Sequence, residues 1–313
     1  MANTISVGTA AEAAVAVLYE RLGVTNLVHR DFSTALVTQK RGDTMNVRRP
    51  TTFEARDFTH AVGIQPQDIN ESTVPVKLDQ ITDVSFTLTD TELTMEVDEF
   101  TTRFIMPAMN AIAQRIDRAV IAKALATVTA EVGQGNGTGA VPSKYAWNDH
   151  KVLIDAGVIL DGHNVPLENR HALIGAITKG EWQGQDSLQH ADKSDSTEAL
   201  RQGSLGAMLH GFDAFWTQNI AKPKAPGDQV VGDPTTEVSL AFHKDAFTFT
   251  NAALYIPADA NASVSNFNGL ALRVIQGYDT KYKQTTFSVD CLYGVSTLDA
   301  NKAVLIKGAD KAV

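Results

Sequence analysis

Eight histidines, one cysteine and many carboxylates are the groups in this chain that could do chemistry. Zinc hydrolysis needs two histidines at i, i+4 on one helix with a glutamate between them. His29, His60, His150, His163, His171, His190, His210 and His243 contain no such pair. Acyl transfer by a serine elbow needs Gly-x-Ser-x-Gly. Gly203-Ser204-Leu205-Gly206 misses that spacing and reads as a turn. Asp192-Lys193-Ser194-Asp195-Ser196-Thr197-Glu198 carries oxygen ligands for a hard cation. It lacks the glycine and layout of a calcium loop, so it reads as a solvated loop. Gly133-Gln134-Gly135-Asn136-Gly137-Thr138-Gly139 follows a helix and lacks a Gly-Lys-Ser/Thr ending, so it reads as a joint and not a phosphate loop. Cys291, within Val289-Asp290-Cys291-Leu292-Tyr293, reads as a core thiol. A single cysteine also allows no internal disulfide and no thiolate metal cage. The expectation is a chain with no catalytic residue, no cofactor-binding residue and no metal ligand.

Bulk composition narrows the classes further. The chain has 313 residues, 43% of them apolar, enough for one large or two intimate domains. Its net charge is 27 − 36 = −9, which excludes the basic footprint of a sequence-reading nucleic-acid binder. Met1-Ala2-Asn3-Thr4-Ile5-Ser6 lacks the basic start of a signal peptide. No apolar run approaches the roughly 20 residues of a membrane span. Synthesis in the cytoplasm, with no membrane partner, is expected.

The elements that would position any site come next. Thr9-Ala10-Ala11-Glu12 has the pattern of a capping box, opening a helix that Gly23 would close. Its stripe of Val15, Leu18 and Leu22 is thin, which suggests docking on another surface, such as a second subunit. Residues 35–39 and 44–50 alternate around Lys40-Arg41-Gly42-Asp43 as a hairpin would. The Arg-Gly-Asp tripeptide reads as turn chemistry. Val74–Leu93 reads as extended strand, and residues 98–130 as one long helix. In that helix Ile105, Met109, Ile112, Ile116 and Val120 share a face, which Ile121, Leu125 and Val128 broaden. Arg103, Gln114, Asp117, Arg118 and Lys123 lie opposite. About 33 helical residues span roughly 50 Å, and Pro107 either kinks the rod or marks a second start. Beyond the glycine joint, a helix over Trp147–Leu160 is expected, then strands over Arg170–Ile174, Phe212–Trp216, Thr286–Tyr293 and Ala303–Lys307, the last two joined by a turn at Asp299-Ala300-Asn301. A two-stranded ribbon is marginal alone in water. A ribbon running into a long helix closes no enzyme pocket well. It does build a flat plate with an arm.

The order of these parts resembles the major capsid (coat) proteins of tailed bacteriophages, the Hong Kong phage capsid fold. The nearest branch is that of Salmonella-type podoviruses and actinobacteriophages. The cues are Gly42-Asp43-Thr44-Met45-Asn46-Val47, Thr89-Asp90-Thr91-Glu92-Leu93 running into Phe100–Val128, and Asn164-Val165-Pro166. Gly211-Phe212-Asp213, Ala241-Phe242-His243-Lys244-Asp245-Ala246-Phe247, Leu272-Arg273-Val274 before Tyr278-Asp279, and Leu292-Tyr293-Gly294-Val295 follow. The resemblance implies an α+β fold with an N-arm over 1–30, an extended loop and return strand over 31–97, and a spine helix of the peripheral domain over 98–132. It also implies a mainly axial domain over 145–285 and C-terminal strands over 286–313 returning to the peripheral domain. The implied function is a structural subunit. It assembles as hexamers and pentamers into an icosahedral capsid around double-stranded DNA, in the virion, with assembly in the host bacterial cytoplasm. Heterologous contacts that close into rings suit that role. A separate scaffolding protein, a portal and a decoration protein are the implied partners. Some members crosslink a loop lysine to an asparagine; Lys40, Lys77, Asn251, Asn261 and Asn301 are present, but no placed carboxylate selects a pair. An encapsulin-like nanocompartment shell and a soluble α+β enzyme are the alternatives.

Overall fold

A computed structural model describes residues 7–30, 44–49, 55, 57–58, 60, 63–64, 66, 73–90, 101–135, 143–185, 208–225 and 227–312. Its organising strand is β12, defined with the other elements in chain order. They are α1 (Val7–Arg21), β1 (His29–Arg30), β2 (Thr44–Arg48), β3 (Thr73–Lys77), β4 (Gln80–Thr89) and α2 (Met106–Thr127). Then follow β5 (Glu131–Val132), α3 (Val152–Gly162), β6 (Arg170–Ile174), α4 (Ala176–Gln183), β7 (Asp213–Trp216) and β8 (Ser239–His243). The last are β9 (Phe247–Ala252), β10 (Asn261–Phe267), β11 (Leu270–Asp279), β12 (Gln284–Thr297) and β13 (Ala303–Ile306).

β12 is long because its alternation is long. Thr285, Phe287, Val289, Cys291 and Tyr293 are buried at period two. On one side it pairs antiparallel with β4, from Gln284 opposite Thr89 to Tyr293 opposite Gln80. On the other it pairs with β11 and then, past Leu292, with β9. β10 closes onto β11 through Asn268-Gly269, both at positive φ (47° and 76°), the turn that Asn-Gly favours. With β1 beside β9 this makes a six-stranded sheet.

The long helix lies on that sheet. A π-helical turn over Thr101–Ile105 precedes α2, and Pro107 occupies the first turn of the α-helical part. There its missing N–H breaks no hydrogen bond. Of the two sequence readings of Pro107, the second start is the one found. Phe104 stacks on Phe86 at 5.6 Å, and Phe86 on Phe287 at 5.6 Å, fastening the start of the helix to β4 and β12. Ile105, Met109, Ile112, Ile116 and Val120 are buried as expected.

The second sheet runs β5-β13-β8-β6-β7. β13, β8 and β6 are buried at every position, so each faces apolar surroundings on both sides. Ala172, Ile174, Ala241, Val304 and Ile306 meet α3 and Trp182 of α4. The alternate residues Leu173, Leu240, Phe242, Ala303 and Leu305 join the core that contains α2.

Several expectations are corrected. Thr9 lies inside α1, which already runs from Val7, so it is not the N-cap. Gly23 has φ −95° and so is not a left-handed stop. The face of α1 is broader than its large residues suggest, because Ala10, Ala11 and Ala14 are also buried. It packs on β10, β11 and α2 of its own chain. Asp117, placed on the polar face by the helical wheel, is buried. The helix after Trp147 starts only at Val152. β2 pairs with β3, and the expected strand over 35–39 and the turn at 40–43 lie outside the described residues. The described part of Val74–Leu93 is two strands, β3 and β4, and β4 pairs along β12 in the sheet; residues 91–93 lie outside the described residues. Residues 145–285 supply strands to both sheets, and of the two C-terminal strands β12 belongs to the six-stranded sheet and β13 to the five-stranded one, which leaves the expected domain bounds as expectations.

Candidate functional site

The chemistry-bearing residues scatter over this frame. Cys291 is buried in β12, and burial pushes its thiol pKa to about 12, so no thiolate forms near neutrality. Asn251, a crosslink candidate, instead stitches three strands. Its Nδ2 donates to Leu292 O at 3.0 Å, and its Oδ1 accepts from Ala271 N–H at 2.5 Å. Asn261 Nδ2 bonds Gln276 at 3.0 Å. Among the described residues no three His, Cys, Asp or Glu converge as metal ligands, and no helix is long and apolar enough to cross a membrane. His190, the 192–198 loop, Gly203–Gly206 and the end of the glycine joint lie outside the described residues.

Two histidines do meet, 60 residues apart in sequence. His150 Nδ1 lies 3.1 Å from His210 Nε2, with rings stacked at 5.2 Å. Burial lowers both pKa values. His210 lowers that of His150 further, Asp149 raises both, and Lys151 lowers both. A folded-state pKa below the ordinary histidine value adds stability above that value, and this stability is lost as pH falls through the folded pKa. The tip around Leu209–Phe212 is therefore expected to open as pH falls below the ordinary histidine value. Weaker protection of its amides at the lower pH, after correction for the intrinsic exchange rate and abolished in H150F/H210F, is the result to look for.

Glu237 shows the other use of a buried charge. Its Oε2 accepts from Ile177 N–H at 2.9 Å and Thr178 N–H at 3.1 Å, capping α4 from a distant loop. Gly175 allows that approach, since a Cβ there would lie 2.2 Å from the carboxylate. These groups hold structure.

What the frame does present is surface suited to a neighbour. β7 ends its sheet, and Phe215 and Trp216 on it are 42% and 53% exposed. Ile177 at 53% stands on the adjoining α4, and Lys179 Nζ sits 4.5 Å from the Trp216 ring centre. An edge strand with open aromatics is a liability in a free monomer and an asset in an assembly. The β2–β3 ribbon is the second such surface. Among the described residues its small apolar cluster is Met45, Val47 and Val76 with Leu298, and Val74 packs against it. Arg49 pairs with Asp299 at 3.3 Å beside them.

No protein-family profile and no curated protein sequence matches the chain. Solved structures do. The capsid of cyanophage P-SCSP1u aligns over 91% of this chain and 87% of its own at 16% identity and a TM-score of 0.60. The fold is the phage capsid fold. A structure from Mycobacterium phage Che8 aligns over 92% of both chains at 18% identity, with a TM-score of 0.61. The capsid of an empty GTA particle aligns over 92% and 90% at 12% identity, with a TM-score of 0.58. In this chain the long helix packs on the six-stranded sheet, one face of the five-stranded sheet joins the same core, and the ribbon packs on Leu298.

Proposed function

We propose that this chain is the structural subunit of an icosahedral capsid, assembling as hexamers and pentamers around double-stranded DNA. Similarity to capsid structures over about nine-tenths of the chain carries the reading. The two surfaces described above support it, because each gains partners only from another copy. In the proposal, α2 with the six-stranded sheet is the peripheral domain and the five-stranded sheet with α3 and α4 is the axial domain. Residues 44–77 then contain the extended loop. Scaffolding, portal and decoration proteins are its proposed partners, and the virion, assembled in host cytoplasm, its location. No catalysis is proposed.

Expression of the full chain, followed by electron microscopy and nuclease treatment of the particles, tests this. Hollow shells or nuclease-protected DNA support a capsid. Particles that enclose protein cargo instead indicate a nanocompartment, and a stable monomer rejects both. Deleting residues 49–72 and joining β2 to β3 should leave a folded chain that forms no particles. Shells of normal size from that deletion would show that the loop is dispensable for assembly.

A further inference from the structure

The outward face of α2 carries Arg115, Arg118 and Lys123, opposite its buried stripe. A groove of 780 Å3 runs between this face and the β3–β4 connection, where Lys77 and Asp79 stand on the far wall. A second groove of 420 Å3 continues from Arg118 to Lys222. The two share Arg118 and Ala122 and so form one strip across the helix.

The chain has 36 carboxylates to 27 lysines and arginines. Elsewhere among the described residues Arg49, Arg170, Lys224, Arg273 and Lys307 hold carboxylate partners, whereas scattered surface cations such as Lys281 and Lys283 do not. Along the strip, among the described residues, Lys77, Arg115, Arg118, Lys123 and Lys222 form no ion pair. Arg118 Nε donates to Asn219 Oδ1 at 3.2 Å. Asp79 is the acid lining either groove. Five cations gathered along two adjoining grooves, with Asp79 as the lining acid, point to an external polyanion.

The floor selects its kind. Ala119, Ala122 and Ala126 let a polymer backbone approach the helix closely. They offer no deep apolar pocket of the sort that anchors a protein side chain. Arginine forks suit phosphate oxygens. Arg115 to Lys123 is eight residues, about 12 Å along the axis. That length faces about three or four phosphates of one strand at 3.4 Å each.

We propose that this strip binds double-stranded DNA through its phosphate backbone, without reading sequence. Only the origin of that DNA, as a packaged genome, rests on the capsid reading.

Fluorescence anisotropy of a labelled duplex of about 30 base pairs with the full-length chain, across a salt series from about 50 mM, tests the binding directly. The expected slope of log affinity against log salt is about −3, from about −0.9 per phosphate neutralised. R115Q/R118Q/K123Q should weaken binding at least tenfold at about 50 mM salt and flatten the slope to about −1 or less. K281Q/K283Q, on the β11–β12 turn, should match the parent chain. An unchanged melting temperature of the triple variant keeps the comparison fair, since all three side chains point outward. The proposal is overturned if the parent chain binds no duplex, if the triple variant keeps the parental slope, or if poly-glutamate displaces the duplex at equal charge. The last outcome would assign the strip to an acidic protein segment. Absence of particles in the microscope would reject the capsid reading and leave the anisotropy result standing.

Discussion

Replacing Gly294 with valine should undock the β2–β3 ribbon and abolish particle formation while both sheets stay folded. Gly294 lies in β12 one residue past the end of its pairing with β4. There the neighbouring chain turns away through Lys77, Leu78 and Asp79, and its backbone crosses directly over the glycine. A Cβ at 294 would lie 2.3 Å from Lys77 O, 3.0 Å from its carbonyl carbon and 3.3 Å from Val76 Cγ1. The first two are main-chain atoms that cannot rotate aside. Overpacking against backbone costs on the order of 3 kcal/mol. The relief open to the chain is movement of the Lys77 segment. That segment is the base of the ribbon, held otherwise by Leu298 and the Arg49–Asp299 pair. The expected readout is new protease cleavage near 73–79, a lower melting temperature and no shells. Gly277 in β11 has nothing within 4 Å of its would-be Cβ. Its alanine variant should stay within about 0.5 kcal/mol of the parent, a control for glycine removal from a strand. An unchanged melting temperature with normal particles from Gly294→Val would contradict the close approach.

The parts of this fold that were legible in the sequence are those whose partners are near or whose burial is total. β6, β7 and β13 show as short apolar runs, and α2 shows by its period of 3.6. Residues 44–48 pair with 73–77 across a long connection, and sequence carries no mark of that distance. β4 misled for a related reason. Its exposed positions from Asp83 onward are Asp, Ser and Thr, which look like a free ribbon, yet β12 supplies ten paired residues from some 200 positions away. α1 looked thin because alanine was not counted as apolar stripe, although Ala11 and Ala14 are fully buried. Half of the basic strip is readable on α2, whereas Lys77 and Lys222 reach it only through the fold. His150 and His210 are likewise joined by the fold, and no spacing rule would have paired them.

Asp117 was the clearest misreading on α2, and it governs the second large expected effect. Asp117→Ala should cost about 3–5 kcal/mol and release the segment after α1. The carboxylate accepts three hydrogen bonds from one turn: Gly23 N–H at 3.2 Å, Thr25 N–H at 3.1 Å and Thr25 Oγ1–H at 2.8 Å. These donors belong to the bend between α1 and β1, where Thr25 is fully buried. Alanine leaves all three without a partner, and each buried orphan carries a penalty of about 1–3 kcal/mol. Asparagine keeps one acceptor but turns an NH2 toward the remaining donors, so Asp117→Asn should cost about 1–2 kcal/mol. Burial raises the pKa of Asp117 despite the hydrogen bonds from Thr25, Gly23 and Val24. A carboxyl with a raised folded pKa favours folding most below the ordinary carboxylate range. That contribution is lost as pH climbs through the folded value. The stability gap between the parent and Asp117→Asn should therefore narrow with rising pH in urea titrations. Faster amide exchange over residues 22–30 in Asp117→Ala locates the damage at the bend, while unchanged exchange in β12 shows that the sheet survives. If the alanine variant unfolds at the parental urea concentration, the three-donor clamp does not hold α1 to α2.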